Sequence, residues 1–158
     1  MKQDQQLRDQ LTKLMRSGQA FTPLDELLQG ITAADAGRNV HELPYTLWKL
    51  IEHLRIALHD ILEFSRNPDY ESPAWPDGYW PEAAAPADQA ALDASINAIK
   101  DDIEAMVQLV QDSNNDLFEP FAHGNGQNLL REALLIAEHN AYHLGEILVL
   151  RRLLGIWK

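Results

Sequence analysis

The 158-residue sequence contains no cysteine. Disulfides, thiolate metal sites and cysteine nucleophiles are excluded together, and His, Asp and Glu remain as the side chains able to ligate a metal. Basic residues are scarce: 13 Lys and Arg stand against 24 Asp and Glu, a formal net charge of −11. Nucleic-acid phosphates need a basic surface, so this balance predicts no nucleic-acid partner. The acidity itself reads as a contribution to solubility. Long apolar runs are missing too. The opening stretch MKQDQQLRDQLTKLMRSGQ lacks the apolar segment of a signal peptide, and no later segment reaches the length of a membrane span. The expectation is a soluble, cytoplasmic protein without membrane association. Period-two alternation is absent over any useful length, so no half-buried strand is predicted. There are no internal repeats, and no low-complexity tract beyond the brief EAAAPA.

What remains is helical. Leu7, Leu11, Leu14 and Met15 recur at helical spacing over residues 3–16. TPLDELLQG predicts a short helix with Thr22 as N-cap, Pro23 at the first helical position and Gly30 as its stop. ITAADAGRNVHELP reads as a connection. From Pro44 to about Ser65, Leu47, Leu50, Ile51, Leu54, Leu58, Ile61 and Leu62 form one apolar stripe. The proline-rich RNPDYESPAWPDGYWPEAAAPA is a long loop, of a length usually reserved for function or special packing; Trp75, Tyr79 and Trp80 either line a substrate pocket or anchor the loop, and the apolar anchor is the favoured expectation. Asp88 to about Gln111 is the next helix, its inner face marked by Leu92, Ile96, Ile99, Ile103, Met106, Val107 and Val110. The last helix runs from about Gln127 to Leu154 and ends at Gly155. Four main helices and one short one predict an all-α, antiparallel four-helix bundle, a single domain over residues 1–158.

The last helix carries His139 and His143 four residues apart, one turn apart on one face. Apolar residues occupy more than one side of that helix, so the two imidazoles should point inward. If both were charged they would repel; if neutral, each needs a hydrogen-bond partner. A shared cation meets both requirements, but two core histidines with local partners fit the pair as well. His53, on the helix that starts at Pro44, lies about a third of a turn off the main stripe. It reads either as a surface histidine or as the third nitrogen of an inter-helical site. His59 points elsewhere and should be solvated; His41 and His123 fall in connections. Asp60 lies roughly two turns from His53 on the same side, within reach of the site's surroundings at best. Tyr142 is expected to pack, and Arg151 and Arg152 to complement the helix dipole rather than to bind an anionic cofactor, the other reading of two basic residues there.

Three stretches, LPYTLWKLIEHLRIALHDIL, AWPDGYWP and NLLREALLIAEHNAYHLGEILVLRRLLGIW, together resemble the DinB-like (DinB/YfiT-type) metalloenzymes, from about residue 40 to the end. The closing HNAYHLGE followed by LRRLLGIW is the most specific part. The resemblance implies a four-helix bundle, commonly dimeric, whose divalent metal is held by one His of the second main helix and a His pair of the last. Carried over, the ligands are His53, His139 and His143. Glu146 departs from that family's pattern, which often has Gln there.

Three neutral imidazoles would leave a divalent cation its full charge and open positions. Without a carboxylate in the set, Zn²⁺ or Ni²⁺ suits it better than Fe²⁺ or Mn²⁺. Some relatives use such a site for thiol transfer with a low-molecular-weight thiol, which fits a chain lacking its own cysteine. The leading expectation is a metal-dependent, thiol-using S-transferase acting on a small-molecule substrate, as a homodimer. A metal-dependent hydrolase, and a non-catalytic dimeric binding or structural bundle, are the alternatives. The sequence does not separate them.

Overall fold

The computed structural model describes residues 2–17 and 19–157. Their regular structure is helical: α1 (Lys2–Met15), α2 (Leu24–Leu28), α3 (Ala33–Ala36), α4 (Leu47–Arg66), a 3-10 turn (Asp77–Tyr79), α5 (Gln89–Gln111) and α6 (Leu129–Leu153). Among the described residues there is no strand, only an isolated bridge between Pro120 and Asn128. No described helix is long and apolar enough to cross a membrane.

Local chemistry sets the helix starts. Asp88 Oδ1 accepts from Ala91 N at 2.8 Å to cap α5, and Asn128 Oδ1 accepts from Arg131 N at 2.9 Å to cap α6. Helix α4 begins three residues later than Pro44 suggests. Thr46 is extended, and its Oγ1 accepts from Lys49 N at 3.3 Å while its hydroxyl donates to the Ala84 carbonyl at 2.6 Å. That second bond fastens the end of the long loop to the start of α4. The predicted Thr22 cap is displaced by one residue: Pro23 holds the N-cap position of α2, and Leu24 N donates to Ser17 Oγ at 3.0 Å instead. Helix α3 lies inside a segment expected to be a plain connection. Thr32 caps it, accepting from Asp35 N at 3.1 Å and donating back to Asp35 Oδ2 at 2.7 Å. Gly155, at φ 74°, ends α6 as expected, in a conformation that favours a residue without Cβ.

Helix α4 packs against both α5 and α6, and α1 packs against the same two. Leu11 and Met15 of α1, Leu50, Ile51, Leu54 and Leu58 of α4, Ile99 and Met106 of α5, and Ile136, Leu144 and Ile147 of α6 fill the shared core. Each such side chain contributes about 1.5–3 kcal/mol on leaving water. Two buried arginines tie chain ends into this framework. Arg8 of α1 donates to the carbonyls of Val110, Asp112 and Asn115 at 2.6, 3.1 and 2.8 Å, closing the C-terminus of α5. Arg151 is buried where the sequence suggested a dipole partner: it donates to Leu27 O at 2.6 Å and Ile156 O at 3.2 Å, with Trp157 against its guanidinium. Helix α6 is not covered all round, since Leu134, Tyr142, Val149 and Leu153 remain exposed.

Candidate metal centre

The α4–α6 contact brings His53, His139 and His143 together. His53 and His143 are buried, at 5% and 7% exposure, and His139 is partly buried. One ring nitrogen of each lies within 4.8 Å of the other two, and His53 Nε2 and His139 Nε2 are 3.1 Å apart. The surface-histidine reading of His53 is thereby excluded. At metal–nitrogen distances of about 2.0–2.1 Å, ligands around a tetrahedral ion sit roughly 3.3 Å apart, so the observed nitrogen spacing suits a shared cation.

The far sides of two rings fix which nitrogens face inward. His53 Nδ1 lies 2.8 Å from the carbonyl oxygen of Tyr79, which can only accept. The ring therefore carries its proton on Nδ1 and presents a bare Nε2. His143 Nδ1 lies 2.6 Å from Glu146 Oε2, and the same logic leaves its Nε2 bare. Glu146 is held in turn: its Oε1 accepts from the Tyr45 hydroxyl at 2.9 Å. That bond, with burial, raises the Tyr45 pKa and keeps the hydroxyl a donor. Outer partners of this kind are what orient metal-ligating imidazoles and make them more basic.

Burial also disfavours the charged form of two of the three rings. Burial, reinforced by the His143 and His53 rings beside it, depresses the His139 pKa to about 4. Burial lowers that of His53 as well. Neutral imidazoles are the form that ligates, so at neutral pH no proton needs to leave these two rings.

The long loop supplies part of the wall. The Trp80 indole stacks on the His53 ring, centroids 4.0 Å apart and planes within 4°. The 3-10 turn that presents both Tyr79 and Trp80 is closed by Tyr79 N donating to Pro76 O at 3.2 Å and Trp80 N to Asp77 O at 3.3 Å, and Gly78 N ties it back to Ala74 O at 2.7 Å. A Cβ on Gly78 would fall 2.8 Å from that of Pro73, so the turn accepts only glycine there without shifting. Tyr79 also donates its hydroxyl to Asp60 Oδ2 at 2.7 Å, and burial with this bond lifts the phenol pKa far above its usual value. Of the expected loop anchors, Tyr79 and Trp80 act as such. Trp75 does not, being 78% exposed.

The three histidines, with Tyr45, Asp60, Arg131, Glu146 and a ring of apolar side chains, line a cavity of about 670 Å³. Tyr142, expected to pack, is 65% exposed and lines the same cavity. The other histidines lie apart. His59 meets Asp102 at 3.1 Å on the half-exposed outer face of α4, His123 donates to Phe64 O at 2.8 Å, and His41 is exposed. Sequence reasoning missed the Tyr79 carbonyl, the stacking of Trp80 and the Glu146–Tyr45 pair. Only Glu146 left a signal, as a carboxylate three residues after His143 on one helix.

No curated protein and no solved structure matches this chain. A family model does, that of the DinB superfamily, over residues 18–147. The match begins earlier than the resemblance read from residue 40 and stops short of the closing LRRLLGIW block, but it contains all three clustered histidines and the loop that braces them. On this match, which covers well over half of the sequence, the chain belongs to the DinB superfamily.

Proposed function

We propose that the protein is a metal-dependent enzyme in which His53, His139 and His143 hold one divalent cation, Zn²⁺ or Ni²⁺, and that it transfers a low-molecular-weight thiol to a small electrophile. The observation carrying this reading is the convergence of three imidazole nitrogens on one point at the wall of a substrate-sized cavity, with two of the rings locked from behind. When bound, the cation supplies Lewis acidity, lowering the pKa of a thiol or water that reaches it. The chain's own residues do the rest. Tyr79 O and Glu146 hold the tautomers, Trp80 keeps the His53 ring in plane, and the apolar part of the wall borders the reacting centre.

Both carboxylates lining the cavity already accept hydrogen bonds, Asp60 from Tyr79 and Glu146 from His143 and Tyr45, so their roles here are to hold neighbouring groups. Metal-dependent hydrolysis is the alternative reading, since the same cation would also lower the pKa of a bound water. We further infer an antiparallel four-helix bundle from the pairing of α1 and α4 with α5 and α6, a single domain over residues 1–158, a cytoplasmic location and a homodimeric state. Sedimentation tests the last of these.

Elemental analysis of the gently purified protein and of His143→Ala tests the metal reading. Wild type should carry about one equivalent of metal, and the variant should lose it while melting close to metal-stripped wild type, the bound ion itself stabilising the folded state. A wild type that carries no ion and binds none on titration refutes the reading. The thiol step has its own assay: metal-loaded protein with bacillithiol, mycothiol or glutathione and an electrophile. No thiol-dependent rate with any of the three would remove it.

A further inference from the structure

The cavity's polar groups are largely consumed by one another. The Tyr45 hydroxyl is committed to Glu146, the Tyr79 hydroxyl to Asp60, and the inner Glu146 oxygen to His143. The remaining oxygen of Asp60 is buried without a partner, and the half-exposed Arg131 pairs with the buried Glu132 through one nitrogen at 2.7 Å. Between these groups the wall is apolar, made of Ala57, Ile61, Leu135 and the Trp80 ring.

Two large aromatic side chains are left in water at this same cavity. Trp75 is 78% exposed and Tyr142 is 65% exposed. Trp75 comes from the long loop and Tyr142 from α6, so the two approach the opening from different elements. Trp75 meets Tyr79 at an angle of 63°, centroids 5.4 Å apart, and Tyr142 meets His143 edge-on at 4.8 Å. These contacts leave ring faces uncovered. A tryptophan this exposed is uncommon on a protein surface, and exposed aromatics that rim a cavity are what ligand sites use. Tyr142 directly precedes His143 in the chain, so a body held against it lies next to the histidine cluster.

We infer that the cavity selects a planar, apolar ring system as the body of its substrate, gripped at the mouth by Trp75 and Tyr142. This rests on the reading of the histidine cluster as the reacting centre, and it narrows the electrophile to an aromatic or similarly flat compound. The grip is made by ring faces and edges, which favour flat π-systems over saturated rings of the same size.

Equilibrium dialysis of the full chain with 2-naphthol and with its saturated counterpart decahydro-2-naphthol tests the inference, in metal-loaded and metal-stripped protein. The structure predicts tighter binding of the planar compound. Trp75→Ala and Tyr142→Ala should each weaken it by roughly three- to tenfold. Phe118→Ala, which removes another exposed aromatic away from the cavity, should leave it unchanged. Equal binding of the two compounds, or naphthol binding indifferent to both cavity variants, overturns the proposal. So does a change of oligomeric state in the variants with naphthol affinity intact, because the rings would then cover a subunit contact. Naphthol binding that depends on Trp75 in a protein that takes up no metal upholds the ring site while the metal-enzyme reading fails, so the two failures are distinct.

Discussion

Removing the carboxylate behind His143 gives the sharpest test of the proposed centre. Glu146 Oε2 accepts from His143 Nδ1 at 2.6 Å, and a carboxylate acceptor makes this a charge-assisted bond. Hydrogen bonds to charged groups contribute about 1.5–3 kcal/mol, against about 0.5–1.5 kcal/mol for neutral ones. Glu146→Ala loses the bond and the charge together, so metal affinity should fall about ten- to a hundredfold, the range seen when outer partners of ligating histidines are removed. Glu146→Gln keeps an acceptor for Nδ1–H but not the charge, and should fall between the two, at roughly three- to tenfold. Tyr45→Phe removes only a neutral donor to the carboxylate, at 2.9 Å, and should cost less than about threefold. Affinity is read by competition against a chromophoric chelator, so no turnover is needed. The order wild type, Tyr45→Phe, Glu146→Gln, Glu146→Ala is the signature. If Glu146→Ala binds metal as tightly as wild type, the brace does not act on the site. If Glu146→Gln is as weak as Glu146→Ala, the hydrogen bond contributes nothing and only the charge matters.

Two further outcomes follow from the same coordinates. In metal-stripped protein, His139, with its pKa near 4, and His53, also lowered, bind protons less readily when folded than when unfolded, where histidine titrates near 6.5. The unfolded chain holds the extra protons, so stability is fully present above about pH 6.5 and is lost as pH falls towards 4, at about 1.4 kcal/mol per pH unit for each histidine in its window. Urea unfolding at pH 7.5, 6 and 5 should show this slope, and His139→Gln should remove one histidine's share; an unchanged slope in that variant contradicts the assignment. Arg8→Met leaves the carbonyls of Val110, Asp112 and Asn115 without their donor and should cost about 2–4 kcal/mol, seen as a lower urea midpoint at constant m-value, whereas Asp4→Asn, which removes only the solvent-exposed partner of Arg8, should move the midpoint far less.

The parts legible in the sequence and the parts hidden from it divide by the range of the interactions that set them. The apolar stripes of α4 and α5, the Asp88 cap and the Gly155 stop follow from spacings within a few residues, and they stand close to where periodicity puts them. Helix α4 starts after the local Thr46 cap, three residues past Pro44, and what no local rule contains is the second bond of that hydroxyl, to Ala84, thirty-eight positions on. His139 and His143 share a face by helical arithmetic alone. His53 was ambiguous because its seam is apolar only in part, and what buries it is Trp80 from a loop that periodicity cannot place. Trp75 and Trp80 look alike in AWPDGYWP, five residues apart, yet one lies flat on an imidazole and the other stands in water. The 3-10 turn between them presents the Tyr79 carbonyl to His53 Nδ1 and the Trp80 face to the same ring. It thereby fixes the tautomer and the plane of the one ring contributed by a second helix. The loop is thus a structural part of the centre, and the metal site cannot be derived from the helices alone, even though every proposed ligand lies on one.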